Sequence, residues 1–107
     1  MALNENNVAL ARWRGLVLEL VHSAFRKRLP AYDLVMMTDL MRSMGQDVGE
    51  NDVIFILRQL KDLGCVVFEE ERKRATNELN IREVRVTPKG CRLVEGFDRD
   101  DAVMIRL

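Results

Sequence analysis

The hydrophobic pattern of this 107-residue chain changes its period at Gly64, and this change limits the folds that the chain can adopt. Before Gly64, apolar residues recur at steps of three and four, which predicts amphipathic helices at residues 5–28, 34–44 and 50–63. After Gly64, the segments "CVVFEEE" and "IREVRVT" are rich in β-branched residues, which predicts two strands joined by a long polar tip. We therefore expect an α+β fold that is mainly α-helical.

Residues with known cap and breaker roles stand at the predicted boundaries. Pro30 is expected to end the first helix, because a proline disfavours helical geometry in the residue before it. Asp33 is a suitable N-cap for the second helix. Thr87 is a suitable N-cap for a fourth helix at residues 88–96, since Pro88 then occupies the first turn, where its missing N–H has no cost.

The length of the chain favours a single domain over residues 1–107. Acidic and basic residues are equally numerous, 17 of each, so the whole molecule has no net field that would attract a polyanion. The longest apolar runs are far shorter than the roughly 18 residues of a membrane-spanning helix. The N-terminus also lacks the pattern of a signal peptide, so we expect a cytoplasmic protein without a membrane partner.

Residues that carry catalytic or metal chemistry are sparse in the sequence. Cys65 and Cys91 are isolated, and two cysteines alone make neither a disulfide framework nor a zinc site. His22 falls on the polar strip of the first helix, where a lone surface histidine is the expected state. No Ser-His-acid set and no glycine-rich phosphate loop can be assigned. We therefore expect reduced thiols, no cofactor, no metal and no enzymatic activity.

The first predicted helix has an apolar arc of roughly 200°, wider than the single face that packs on one core. Leu10, Leu18 and Phe25 extend the main stripe on one side. One interpretation is that a second copy of the chain covers this side, which predicts a homodimer. The other is a long central helix that its own domain covers on two sides. The pattern alone leaves both open.

Two segments resemble the winged helix-turn-helix superfamily. "LRQLKDLGCVVFEEE" looks like the passage from a recognition helix into a wing, and "VRVTPKG" looks like the second wing strand entering the next helix. The MarR, PadR and ArsR types of bacterial regulator share this layout. The resemblance covers residues 34–95 and implies a helix-turn-helix at 34–63, with its recognition helix at 50–63, and a wing at 65–87. It also implies a small transcription regulator that binds duplex DNA, of a kind that occurs among bacterial and phage accessory proteins.

Candidate DNA contacts lie on the third predicted helix and in the wing. On a helical wheel the apolar residues of this helix face the core, while an amide and two cations face outward, where they can read bases or bind phosphate. The wing carries three consecutive cations at its tip and another on its second strand, which can neutralise phosphates. The candidate DNA-binding residues are Asn51, Arg58, Lys61, Arg72, Lys73, Arg74 and Arg82.

Other features favour a protein partner instead. Glu50 and Asp52 would repel phosphates at the start of the third helix, and two adjacent exposed apolar residues on its outer face are typical of a protein contact. Glu69–Glu71 could also neutralise the wing's own cations across the hairpin. A protein-interaction or dimerisation module therefore remains the alternative, and a small-molecule sensor with a pocket between the first helix and its dimer mate is a third. The candidate interface residues are Leu10, Leu18, Phe25, Ile54 and Phe55.

Overall fold

The computed structural model describes the backbone of residues 3–106 and the side chains of residues 8–106. Within this range the chain forms four helices and a two-stranded antiparallel sheet, and about half of it is helical, so the α+β class is confirmed. None of the helices in this range is long and apolar enough to cross a lipid bilayer. In chain order the elements are α1 (Leu3–Arg26), α2 (Leu34–Ser43), α3 (Glu50–Asp62), β1 (Val66–Arg72), β2 (Leu79–Val86) and α4 (Pro88–Val94).

A left-handed residue, rather than Pro30, ends α1. The helix stops at Arg26, two residues earlier than predicted, because Arg28 adopts a φ of 55° and turns the chain before the proline. The N–H of Leu29 then bonds to the carbonyl oxygen of Ala24 at 2.9 Å, which is the six-to-one bond of a Schellman turn. The other three helices end in the same kind of turn, with glycine at the left-handed position: Gly45, Gly64 and Gly96.

Both predicted N-caps are confirmed. The Asp33 carboxylate accepts a hydrogen bond from the backbone N–H of Met36 at 2.8 Å. The Thr87 hydroxyl accepts one from the N–H of Gly90 at 3.1 Å, and it donates to the carbonyl oxygen of Gly64 at 2.6 Å. The cap of α4 thereby ties the end of the hairpin to the end of α3.

A bulge in β2 allows two residues three positions apart to face the core. We use "the hairpin" for residues 66–86 and "the tip" for residues 73–78. Ile81 and Val84 are both buried, although strict alternation would put them on opposite faces. The register shifts between them, where Glu83 takes a φ of 56° and restores the inward direction at Val84. Val84 also bridges to Tyr32, which ties the connection between α1 and α2 to the sheet.

The C-terminal tail, residues 97–106, lies along α1. The N–H of Met104 bonds to the carbonyl oxygen of Ala11 at 3.0 Å, and Arg14 donates to the carbonyl oxygen of Ala102 at 3.1 Å. The backbones approach closely at Gly15, where an added Cβ would overlap the carbonyl group of Met104. The tail thus docks on its own chain and covers a side of α1.

The two-sided burial of α1 comes largely from its own chain. Leu18, predicted to face a partner, is wholly buried in the core, so that prediction is wrong. The reason is that α3, β2 and α4 all pack against α1, in addition to the tail. Leu10 is half-buried, while Phe25 is 61% exposed and remains available for contact. The wide apolar arc therefore does not by itself require a second copy.

Candidate nucleic-acid interface

The three glutamates of β1 pair with arginines that lie outside the hairpin tip. Arg58 on α3 donates through Nε to Oε1 of Glu70 at 3.0 Å. On β2, Arg82 places Nε 3.3 Å from Oε2 of Glu69 and Nη2 3.6 Å from Oε2 of Glu71. These pairs are partly exposed, and such pairs each contribute only about 0–1 kcal/mol to stability. Their main effect is on the distribution of charge, because the acids do not neutralise the tip.

Arg72, Lys73 and Arg74 lie in the tip or directly beside it. Arg72 donates through Nη1 to the carbonyl oxygen of Asn77 at 2.9 Å, so that its guanidinium closes the loop from one side. The N–H of Lys73 bonds to the carbonyl oxygen of Glu78 at 2.9 Å, and the side chains of Lys73 and Arg74 are exposed. Within residues 8–106, no ion pair joins either of these two side chains to a carboxylate. The tip therefore carries two exposed cations, Lys73 and Arg74, against the single carboxylate of Glu78, and Arg72 adjoins it at the end of β1.

The donors predicted on α3 are largely engaged by the hairpin. Arg58 is held by Glu70, and the Nζ of Lys61 lies over the ring of Phe68, 4.9 Å from its centroid. Asn51 is exposed in the first turn, next to Asp52, whose carboxylate accepts the N–H of the helix cap at 2.8 Å. Of the three predicted residues on this helix, only Asn51 points to solvent without one of these contacts to the hairpin.

The prediction that Ile54 and Phe55 are both exposed on α3 is only half correct. Phe55 is 52% exposed, as expected for an outward-facing residue. Ile54 is instead half-buried and packs against the hydrophobic core, so its prediction as a surface contact is wrong. Val53, Ile56 and Leu57 are buried, and Ile54 lies at the edge of the helix face that they form, so it is partly covered as well.

A second basic run, Arg26–Arg28, lies beside the base of the hairpin. Arg28 lines a groove together with Arg85, which itself pairs with Glu83 at 2.6 Å. Arg85 is six residues from Leu79, the first residue of β2 after the tip, and at ~3.3 Å per residue this separation is roughly 20 Å. We therefore expect the two basic runs to form separate patches.

A histidine, a cysteine and a glutamate meet between α1 and α4. His22 is only 7% exposed, so the prediction of a lone surface histidine is wrong. Its Nε2 lies 3.0 Å from Oε2 of Glu95, and the sulfur of Cys91 is within 4.8 Å of the other two ligand atoms. Burial, followed by the nearby charge of Glu95, raises the pKa of the Cys91 thiol. The four-residue spacing of Cys91 and Glu95 is visible in the sequence, but the approach of His22 depends on tertiary packing.

Comparison of the chain with protein-family models, with curated proteins and with solved structures found no match.

Proposed function

We propose that the chain is a small winged-helix protein that binds duplex DNA mainly through the phosphate backbone, as a module of the transcription-regulator type. The order of three helices, a hairpin and a fourth helix supports this proposal, with α2 and α3 as the helix-turn-helix and the hairpin as the wing. The buried residues Val66, Ile81 and Val84 and the bridge from Tyr32 to Val84 hold the wing against the helices. Such a fixed wing can present its tip in one orientation to a duplex.

The charge distribution of the hairpin is the observation that carries the proposal. Because Glu69–Glu71 are paired with Arg58 and Arg82, the cations of the tip keep their charge toward solvent. Cations on a projecting loop bind phosphate and release the counterions of the duplex, which gives affinity that falls with salt. A chain with zero formal net charge can bind a polyanion in this way only through a local patch.

The contacts of Arg58 and Lys61 with the hairpin also imply that α3 recognises base sequence only weakly. A recognition helix reads bases through donors and acceptors on its exposed N-terminal face. Here the first turn contains Glu50 and Asp52, and the two cations further along the helix are engaged by the hairpin. Asn51 is exposed and is the one predicted base contact on α3 without either of these two contacts to the hairpin. We therefore infer that phosphate contacts dominate and that sequence selectivity is low.

Binding of a fluorescent duplex at low salt tests this proposal. The wild-type chain is expected to bind, and an unlabelled duplex of scrambled sequence should compete nearly as well as the labelled sequence. The double variant Lys73→Gln/Arg74→Gln should bind more weakly to every duplex, while keeping Arg72 to close the loop.

The matched control is Arg26→Gln/Lys27→Gln, which removes the same charge beside the base of the hairpin. This control should bind duplex DNA nearly as well as the wild-type chain. Absence of wild-type binding at low salt would contradict the proposal, because phosphate contacts are strongest there. Equal loss in both double variants would contradict the assignment of the contact to the tip.

A protein contact through α3 is the second candidate, and the exposure of Phe55 favours it. A phenylalanine that is 52% exposed on the outer face of a helix adds apolar surface of the kind found in protein interfaces. Phe25 and Leu29, 61% and 48% exposed at the end of α1, offer a separate apolar site at which two copies could associate.

Sedimentation of Phe55→Gln and Phe25→Gln distinguishes these surfaces. If the chain self-associates through α3, only the Phe55 variant should become monomeric at a concentration where the wild-type chain is not. If the contact is at the end of α1, only the Phe25 variant should do so. A monomeric wild-type chain at high concentration would exclude self-association through either surface.

A further inference from the structure

The cluster of His22, Cys91 and Glu95 unites three side chains from two packed helices. Cys91 lies in α4, and Glu95 is the C-cap residue four positions later, so the two side chains lie on one face, and His22 meets them from α1. The imidazole is nearly buried, and the carboxylate beside it is partly open to a groove that the tail also lines. Nothing in the proposed DNA contact uses these residues.

We propose that His22, Cys91 and Glu95 form a binding site for a thiophilic divalent cation, with Zn²⁺ as the best match. Imidazole nitrogen, thiolate sulfur and carboxylate oxygen are the three ligand types that zinc takes in proteins. Magnesium and calcium prefer oxygen ligands alone, so this mixed set discriminates against them. This inference is independent of the proposed DNA binding.

The observed separations suit a metal ion after a small side-chain adjustment. Zinc lies about 2.0–2.3 Å from nitrogen, oxygen and sulfur ligands, so two ligands of a tetrahedral ion are about 3.4–3.6 Å apart. The imidazole and the carboxylate are now 3.0 Å apart, and the sulfur is within 4.8 Å of both. Side-chain rotations that move the Glu95 carboxylate and the Cys91 sulfur by about 1 Å would therefore complete the arrangement.

The fourth position of the ion would face the groove and hold water. Three aspartates of the tail, Asp98, Asp100 and Asp101, also line this groove, but none belongs to the cluster, and the carboxylates of the first two already have partners. Asp98 accepts two hydrogen bonds from Arg92, at 2.9 and 3.3 Å, and Asp100 accepts the N–H of Ala102 at 2.9 Å. A site with three protein ligands and one water follows from these contacts.

A metal ion accounts for the cluster better than a reactive thiol does. Burial and the charge of Glu95 favour the neutral thiol at Cys91, whereas a nucleophilic cysteine needs surroundings that favour the thiolate. A bound divalent cation reverses this preference, because it replaces the proton on sulfur and offsets the carboxylate charge.

Cobalt titration of the full chain tests the site through a spectroscopic signal of the ligands. Under reducing conditions Co²⁺ should produce the near-ultraviolet charge-transfer band of a cobalt thiolate, together with the visible bands of tetrahedral cobalt. Zn²⁺ should remove both signals, whereas Mg²⁺ should not. The control Cys65→Ala should keep the band, because Cys65 is not a member of the cluster.

The variants Cys91→Ser and Glu95→Gln separate a built site from adventitious binding. Cys91→Ser should lose the charge-transfer band, and Glu95→Gln should bind Co²⁺ at least about tenfold more weakly, since even the outer partners of metal ligands contribute that much. Glu95 is partly exposed, so its variant should keep the helical circular dichroism of the wild-type chain. Absence of the band in the wild-type chain, or its persistence in Cys91→Ser, would overturn the proposal.

Discussion

At the residue scale, Arg28 is in a conformation that suits glycine better. It closes α1 with a φ of 55°, whereas the other three helices place glycine at the corresponding position. A non-glycine residue in the left-handed region costs roughly 1 kcal/mol, because its Cβ approaches the following carbonyl oxygen. The side chain of Arg28 is exposed, so little packing offsets this cost.

We therefore predict that Arg28→Gly increases the free energy of unfolding by about 0.5–1 kcal/mol, less than the full conformational cost because glycine also gains unfolded-state entropy. Gly64→Ala, at a φ of 79°, should decrease it by about 1 kcal/mol or more. Urea unfolding followed by circular dichroism measures both changes. A decrease for Arg28→Gly would mean that its side chain makes a stabilising contact.

The two thiols make stability depend on pH at the alkaline end. Burial raises the pKa of Cys65 and of Cys91 above the ordinary value of 9.0. As pH rises past about 9, the unfolded chain therefore loses these protons before the folded chain does. Their contribution to stability is fully present below that pH and is lost as the pH passes through the folded values.

We predict that the free energy of unfolding falls between about pH 8 and pH 10, and that Cys65→Ala/Cys91→Ala shows a smaller fall. Denaturant unfolding at the two pH values measures the difference, with metal-free buffer and reductant present. The double variant can be less stable at both values, since only the change with pH reports the thiols. An identical change in both proteins would contradict this origin.

At the element scale, the spacing of apolar residues predicted the helices and strands, because this spacing is a local property of the sequence. Asp33 and Thr87 determine helix starts through bonds to residues three positions away, so their roles could be assigned from sequence. The position of the tail could not, because its contacts with α1 join residues almost ninety positions apart. The wrong predictions for Leu18 and His22 have this cause, since the tail, α3 and α4 cover sides of α1 that the pattern left open.

The docking of the tail on α1 predicts an unusual effect of Gly15→Ala. In an exposed helix this change stabilises by about 1 kcal/mol, but here the new methyl group would displace the backbone at Met104. We expect a loss of about 1–3 kcal/mol in the free energy of unfolding, as for other overpacked sites. Limited proteolysis should also cleave the tail faster. A gain in stability would show that the tail is not held in this position.

At the scale of the whole molecule, equal numbers of acids and bases conceal an uneven distribution. The sequence predicted a basic tip, but the partners of Glu69–Glu71 depend on the packing of α3 against the hairpin and on the strand register. These pairs leave charge at the tip and remove donors from α3. The proposed phosphate-dominated DNA contact is a consequence of that distribution.

The salt dependence of DNA affinity tests this proposal most directly. For each phosphate that a cation neutralises, the slope of log affinity against log salt changes by about 0.9. We predict that Lys73→Gln/Arg74→Gln reduces the steepness of this slope by about 2, while Arg26→Gln/Lys27→Gln leaves it nearly unchanged. An unchanged slope in the tip variant, or an equal reduction in both, would contradict the assignment of the phosphate contact to the hairpin tip.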